Sequence, residues 1–291
     1  MNLYRDFETQ DEIDDQYQIE RIIDDPKPYF DFFVNESARA RNDLKCMLDL
    51  RFGPTVEETV DIFPADNPDA PIMVFIHGGY WRRLSSKEFS LVARGMVARG
   101  VTVAVTNYAL CPRVTIPEIT RQSRAALAWI KTTITRFNGS RERMFVSGHS
   151  AGGHQVARLL QTDWAHDYDL PDDSIRGGFS ISGLYDLRPL RYSWLQPALQ
   201  LNDDIINAES PLLRPTPRSA PPLFANVGGD ETTEFHRQST DYIARWTGAG
   251  HEGEYGVQAG KNHFSAIDGF ADADSPLCQQ MVDFMAQCES S

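Results

Sequence analysis

The chain has 291 residues, enough for one or two domains, and 41% of them are hydrophobic. That share of apolar side chains supports a sizeable core and excludes an intrinsically disordered chain. The formal net charge of −13 makes nucleic-acid phosphates and anionic membrane surfaces poor partners. We therefore expect a small-molecule partner, and neither nucleic acid nor a membrane.

The four cysteines are scattered, with no C-x-x-C pair and no Cys/His cluster at zinc-binding spacing, which predicts neither a disulfide framework nor a metal site. No H-E-x-x-H or G-x-G-x-x-G motif occurs, so we expect no cofactor. The N-terminus lacks the basic and apolar regions of a signal peptide. We expect a soluble, cytoplasmic protein; the oligomeric state stays open, with a homodimer as one alternative.

Residues 1–50 are acidic and rich in aromatic side chains. The apolar spacing predicts one helix before Pro26 and Pro28, which should break it, and a second helix around residues 38–48. We expect these helices to form a cap on a catalytic core of residues 51–291 within a single domain. A plain helical extension is the alternative.

From about residue 56 the pattern alternates between strands and helices, which predicts βαβ units and an α/β fold: a mostly parallel central sheet with helices on both faces. An irregular stretch at residues 184–222 suggests an excursion between strands. The predicted strands are VEETVDIFP, PIMVFIH, VTVAVTN, RMFVSG, GGFSISG, LFANVGG and GEYGVQAG, and the main predicted helices are residues 86–99, 119–137, 234–246 and 277–286.

The strongest local motif is Gly148-His149-Ser150-Ala151-Gly152, which fits the G-x-S-x-G nucleophile elbow. The elbow is a sharp strand-to-helix turn, and small residues on each side of the serine let the chain pass closely there. RMFVSG precedes the motif as a predicted strand and a helix can follow it. Ser150 is therefore the candidate nucleophile; an ordinary glycine-rich turn is the structural alternative.

A second motif, His77-Gly78-Gly79-Tyr80-Trp81, follows the predicted strand PIMVFI. Acyl transfer passes through a tetrahedral oxyanion that needs pre-aimed N–H donors. One donor would be Ala151, after the nucleophile, and the others Gly79 and Tyr80, with Gly78 letting the loop bend. The Trp81 indole either lines the substrate pocket or packs in the core.

The motifs His77–Trp81 and Gly148–Gly153 together resemble the kynurenine formamidase branch of the α/β-hydrolase fold. That branch is close to the hormone-sensitive-lipase-like esterases, which carry HGGG where this chain has HGGYW. Segments Ile181–Leu187 and Phe235–Ser239 are also similar, and the resemblance covers about residues 50–285. It implies an α/β-hydrolase fold with an N-terminal helical cap, and it adds Tyr185 to Trp81 as a candidate substrate-binding residue.

A serine nucleophile needs a base and the base needs an orienting acid; in this fold they follow in the order Ser, Asp/Glu, His. His263 stands just past the last predicted strand, where the fold supplies its base. Asp230 and Glu231 both follow a predicted strand at the correct end of the sheet. In the resembled enzymes the acid precedes a Glu-Phe pair by three residues, which selects Glu231 and leaves Asp230 as the alternative.

The expected function is therefore that of a serine hydrolase cleaving a small amide or ester through an acyl-enzyme. The resemblance implies N-formyl-L-kynurenine or another aryl formamide as substrate. A carboxylesterase acting on short-chain esters is one alternative, and a non-catalytic binding protein with the same fold is an alternative of another class. Arg82, Arg83 and Arg113 are candidate partners for a substrate carboxylate, or else solvated surface arginines.

Overall fold

The computed structural model describes residues 2–290 and is built around an eight-stranded sheet. The strands follow the order β1-β2-β4-β3-β5-β6-β7-β8; β1 and β2 run antiparallel to their neighbours and the other pairs are parallel. The mostly parallel sheet predicted from the sequence is confirmed. The strands are β1 Met47–Arg51, β2 Thr59–Phe63, β3 Ala70–Ile76, β4 Thr102–Thr106, β5 Gly139–His149, β6 Gly177–Ile181, β7 Leu223–Gly228 and β8 Gly253–Gln258.

Helices alternate with these strands, and the order of the strands decides on which face each helix packs. The chain steps from β3 to β4 in one direction along the sheet and returns past β3 to reach β5. Because parallel crossovers are right-handed, the connecting helices α4 and α5 lie on opposite faces. The helices are α1 Gln10–Tyr17, α2 Ile19–Ile22, α3 Lys27–Asp43, α4 Val92–Ala98, α5 Ile116–Thr133, α6 Ala151–Leu160, α7 Trp164–Tyr168, α8 Gln196–Leu199, α9 Asp203–Glu209, α10 Thr233–Gly248 and α11 Pro276–Ser290.

The same reversal of strand order creates the position for a binding site. β3 and β5 are neighbours, yet the chains leaving their carboxyl ends diverge to opposite faces of the sheet. Open α/β sheets leave a crevice at such a switch point. The two motifs of the sequence, His77–Trp81 and Gly148–Gly152, directly follow these two strands and therefore meet there.

The N-terminal region differs from its sequence-based prediction. The predicted helix before Pro26 is present as α1 and α2, but the second helix begins earlier than expected. Pro28 lies in the first turn of α3, where proline lacks only an N–H that has no helical partner. The predicted helix at residues 38–48 belongs to the last part of α3, which ends at Asp43. Residues Met47–Arg51 form the edge strand β1, paired with β2.

The helix predicted for residues 86–99 begins later than expected. A capping box at Ser85 and Glu88 starts a short 3₁₀ turn, Ser86–Glu88, and the α-helix α4 starts only at Val92. The irregular stretch at residues 184–222 is an excursion that contains the two short helices α8 and α9. None of the helices within residues 2–290 combines the length and apolar character required to cross a bilayer.

Candidate active site

Ser150 is the single residue between β5, which ends at His149, and α6, which begins at Ala151. Its backbone has φ 58° and ψ −116°, a strained conformation for a residue with a side chain. A Cβ atom at Gly148 would lie 2.5 Å from the Gly152 carbonyl oxygen, and one at Gly152 would lie 1.9 Å from the Ile76 carbonyl oxygen. The elbow therefore needs glycine on both sides of the serine.

The loop after β3, residues 78–84, is called the oxyanion loop below. Three consecutive residues have positive φ: Gly79 at 111°, Tyr80 at 50° and Trp81 at 57°. Tyr80 and Trp81 are therefore held in a backbone region that residues with a Cβ rarely adopt. The backbone N–H groups of Gly79, Tyr80 and Ala151 have no acceptor within residues 2–290. They are available to a ligand oxygen.

His263 and Glu231 form the central polar contact of the site. His263 Nδ1 lies 2.7 Å from Glu231 Oε2, and both side chains are buried, with 5% and 0% of their surface exposed. Because a carboxylate only accepts hydrogen bonds, the Nδ1 atom of His263 carries the proton and donates a hydrogen bond to Glu231. The lone pair of a neutral His263 is then on Nε2, the nitrogen that a general base uses.

The other oxygen of Glu231 is also occupied. Its Oε1 accepts a hydrogen bond of 2.5 Å from the Ser182 hydroxyl and one of 2.7 Å from the Gly228 N–H. Asp230, the alternative acid, is exposed to solvent and does not contact His263. Sequence reasoning missed Ser182, although it lies within the Ile181–Leu187 segment that the family resemblance had singled out.

Ser150 and His263 line one cavity. No hydrogen bond joins the Ser150 hydroxyl to the His263 imidazole within the described part of the chain; such contacts often tighten only when substrate binds. The cavity wall is mostly apolar, and much of it comes from aromatic rings. Its lining includes Ile19, Phe30, Phe33, Phe89, Phe264, Gly79 and Tyr80.

His149 borders the same cavity and was not predicted as a site residue. Its Nε2 lies 2.8 Å from the His263 carbonyl oxygen and donates to it. Burial, with a smaller contribution from His263, holds the pKa of His149 well below its ordinary value. A neutral His149 therefore fixes the backbone of His263 without placing a positive charge beside that imidazole.

Both aromatic residues named as candidates for substrate binding lie in the core, which corrects the prediction for Tyr185 and decides between the two alternatives for Trp81 in favour of core packing. Trp81 is fully buried and packs its indole edge-on against His154. Tyr185 is also fully buried; its hydroxyl is 2.7 Å from the Ser180 hydroxyl and its ring stacks on Tyr242. Neither side chain lines the cavity, because close packing around each ring leaves no room for a ligand.

Of the three candidate arginines, only Arg83 lines the cavity. It forms an ion pair with Glu20, and its guanidinium lies over the Phe30 ring. Arg82 stacks on Trp194, away from the cavity, and Arg113 is a largely exposed side chain paired with Glu57.

Residues 2–290 contain no group of three or more His, Cys, Asp or Glu side chains arranged to hold a metal ion. The polar groups on the cavity wall include the Ser150 hydroxyl, the His263 and His149 imidazoles, the Arg83 guanidinium and the unpaired N–H groups of the oxyanion loop.

The chain is similar to proteins of known activity along most of its length. The BD-FAE family model matches residues 60–172. Kynurenine formamidase from Danio rerio is 27% identical over 256 residues, which cover 86% of this chain and 85% of that protein. An esterase from Mycobacterium tuberculosis is 25% identical over 199 residues, covering 60% of this chain and 48% of that protein.

A solved structure extends the likeness to nearly the whole fold. The crystal structure of a candidate thioesterase from a Silicibacter species superposes with a TM-score of 0.80 at 30% identity. The match covers 92% of this chain and 98% of that chain.

Proposed function

The chain belongs to the α/β-hydrolase family, in its kynurenine formamidase-like branch, and is a hydrolase; we propose that it is a serine hydrolase that removes the formyl group from N-formyl aryl amides through an acyl-enzyme. One observation carries this proposal. His263, whose Nδ1 lies 2.7 Å from Glu231 Oε2, shares a cavity with Ser150. Gly79 and Tyr80, whose backbone N–H groups are unpaired, line the same cavity.

In the proposed reaction Ser150 Oγ attacks the formyl carbon while His263 Nε2 accepts the hydroxyl proton. The imidazolium that forms is stabilised by Glu231, to which Nδ1–H donates. The backbone N–H groups of Gly79, Tyr80 and Ala151 stabilise the oxyanion. The C–N bond then breaks, and the aryl amine leaves with the proton that His263 returns.

The second half of the proposed reaction repeats these roles with water. His263 takes a proton from water, whose oxygen attacks the formyl ester on Ser150. Collapse of the second tetrahedral intermediate returns the proton to Ser150 Oγ and releases formic acid, which ionises to formate. No group beyond the side chains named and water is required for the atoms and charges to balance.

The cavity supports a small acyl group on an aromatic leaving group. Phe30, Phe33 and Phe264 lie on its wall and supply aromatic side chains against which an aryl amine can pack. Arg83 is the one cationic side chain on its wall and is our candidate partner for a carboxylate on the leaving group.

A short-chain carboxylesterase is the second candidate. The M. tuberculosis relative is an esterase, and the apolar cavity wall contains no side chain dedicated to an amide nitrogen. A non-catalytic binding protein of this fold is disfavoured, because such proteins usually lack a triad member and here Ser150, Glu231 and His263 are all present.

The proposal is tested by following turnover of N-formyl-L-kynurenine and of p-nitrophenyl acetate with the full-length chain and with Ser150→Ala. We expect wild-type kcat/KM to be higher for the formamide and both activities to fall by several orders of magnitude in the variant. A higher kcat/KM for the ester would assign the chain to the carboxylesterases. Near-normal turnover by Ser150→Ala would refute the serine mechanism.

A further inference from the structure

Helices α1 to α3 contact three segments that carry or adjoin proposed catalytic groups; the elbow at Ser150 is the fourth such segment. We call residues 10–33 the N-terminal brace. The brace touches the oxyanion loop, the start of α10 just after Glu231, and the loop around His263. These three segments are far apart along the chain, so one continuous element holds all of them from the same side.

The contact with the oxyanion loop is made by two tyrosines. The Tyr80 hydroxyl donates a hydrogen bond to the backbone carbonyl of Tyr17, and both residues are almost completely buried. The Tyr80 ring also packs against Trp194, whose backbone N–H donates to the Asp14 carboxylate of the brace at 2.8 Å. Arg83, further along the loop, is paired with Glu20.

The second contact is with the residues that follow Glu231. The Tyr17 hydroxyl donates to Glu234 Oε2 at 2.7 Å and accepts from Gln238 Nε2 at 2.8 Å. The Thr232 hydroxyl donates to the Gln16 carbonyl at 2.8 Å. Tyr17 thus links, through its carbonyl and its phenol, the oxyanion loop to the helix that begins beside the proposed acid.

The third contact is with the histidine loop. Asn262, next to His263, donates its amide N–H to the Tyr29 hydroxyl at 2.8 Å. Phe30 packs against Phe264 on the other side of His263, with ring centroids 5.1 Å apart. Both neighbours of His263 are therefore in contact with the brace.

The oxyanion loop needs an external anchor because its backbone is strained. Tyr80 and Trp81 have φ of 50° and 57°, and such conformations persist only where surrounding contacts impose them. The Tyr80 side chain is fixed by the brace, while its backbone N–H is one of the three proposed oxyanion donors. Releasing that side chain frees the backbone to relax and turn the donor away from the reacting oxygen.

We infer that the brace is part of the catalytic apparatus and that the Tyr80 hydroxyl, held by the Tyr17 carbonyl, is a positioning group for the oxyanion hole. The inference rests on the proposed serine hydrolase function and deepens it. It gives the N-terminal helices a task in transition-state stabilisation, in addition to covering the cavity.

The test compares Tyr80→Phe with Tyr4→Phe in the full-length chain. Each variant removes one buried tyrosine hydroxyl. Tyr4 donates to Asp186 at 2.6 Å and accepts from Arg237 of α10 at 3.2 Å, and within residues 2–290 no hydrogen bond joins it to Tyr17 or to the oxyanion loop. We expect Tyr80→Phe to lower kcat at least tenfold with KM within twofold of wild type. Tyr4→Phe should keep kcat within twofold of wild type, even if its unfolding midpoint decreases as much as that of Tyr80→Phe.

A second measurement reports on the loop itself and does not depend on turnover. Amide hydrogen exchange of the peptide that covers residues 78–84 should be faster in Tyr80→Phe and unchanged in Tyr4→Phe, each measured well below its unfolding midpoint. Unchanged exchange together with wild-type kcat in Tyr80→Phe would overturn the inference, and so would an equal loss of kcat in both variants. A wild-type chain that hydrolyses neither formamide nor ester would instead refute the proposed function.

Discussion

Ser182 donates its hydroxyl to Glu231 Oε1 at 2.5 Å, on the carboxylate oxygen that does not face His263. The two residues are 49 positions apart and lie at the carboxyl ends of the neighbouring strands β6 and β7. The contact, together with the Gly228 N–H, prevents the carboxylate from rotating. The proposed acid is therefore oriented by the sheet as well as by the histidine it serves.

Replacing Ser182 by alanine is expected to lower kcat/KM about tenfold, because a hydrogen bond to a charged group contributes ~1.5–3 kcal/mol. The matched control is Ser180→Ala. Ser180 lies on the same strand, but its hydroxyl contacts Gly153 and Tyr185 instead of Glu231. Steady-state kinetics on N-formyl-L-kynurenine distinguish the two variants, and equal losses would mean that Ser182 acts on stability alone.

Glu231→Gln should lower kcat by a factor on the order of 10³–10⁴, because an amide no longer stabilises the imidazolium or selects the correct tautomer. Asp230→Asn, one residue earlier and exposed, should stay within twofold of wild type. The rate of formate release measures kcat for both variants. A larger loss in Asp230→Asn than in Glu231→Gln would transfer the acid's role to Asp230.

Arg83→Gln should raise KM for N-formyl-L-kynurenine, whose leaving group carries a carboxylate, about tenfold, in line with the loss of a charge-assisted hydrogen bond worth ~1.5 kcal/mol. Formanilide has no carboxylate and serves as the control substrate, with KM expected within twofold. Arg113→Gln is the control variant, because Arg113 is exposed and outside the cavity. Parallel changes in KM for both substrates would exclude carboxylate recognition by Arg83.

Three buried histidines make the stability depend on pH. Burial lowers the pKa of His77 and of His154 to about 4, and that of His149 well below its ordinary value. Below a pH of about 6.5 the unfolded chain binds protons at these residues and the folded chain does not. The free energy of unfolding therefore decreases as the pH is lowered. Each histidine contributes at most ~1.4 kcal/mol per pH unit between about 6.5 and 4.

Urea unfolding at pH 7.5, 6.5 and 5.5 measures this effect. The free energy of unfolding should change little over the upper interval and decrease over the lower one. His166→Gln is the control: His166 is largely exposed and its hydrogen bond to Asp167 raises its pKa, so removing it should not reduce the decrease. A stability that is flat or rises as the pH falls from 6.5 to 5.5 would contradict the buried, neutral state of these histidines.

Local patterns in the sequence predicted the individual strands and the turn at Ser150, because each of these features depends mainly on a few neighbouring residues. The elbow is an example: Gly148 is required by the approach of the Gly152 carbonyl within the motif itself, whereas the approach of Gly152 to Ile76 involves another strand. The strand order and the BD-FAE match agree with the expected α/β-hydrolase fold. The roles of Ser150, Glu231 and His263 remain proposals that the kinetics above address.

Contacts between distant segments could not be predicted in the same way. No pattern within the chain relates Ser182 to Glu231, or Tyr17 to Tyr80, because only the assembled sheet brings them together. The burial of Trp81 likewise depends on packing against His154, on a separate helix. The start of α3 was missed for a local reason: Pro28 suits a first helical turn as well as it suits a break.

Covalent labelling with a fluorophosphonate, mapped by mass spectrometry, tests the central claim most directly. In this reaction the serine oxygen bonds to phosphorus and fluoride leaves, which requires a base that activates the hydroxyl and an oxyanion hole that binds the phosphoryl oxygen. We predict one adduct per chain, on the peptide that contains Ser150, and none in Ser150→Ala. A wild-type chain that hydrolyses N-formyl-L-kynurenine but carries no adduct, or carries it on another residue, would contradict the account.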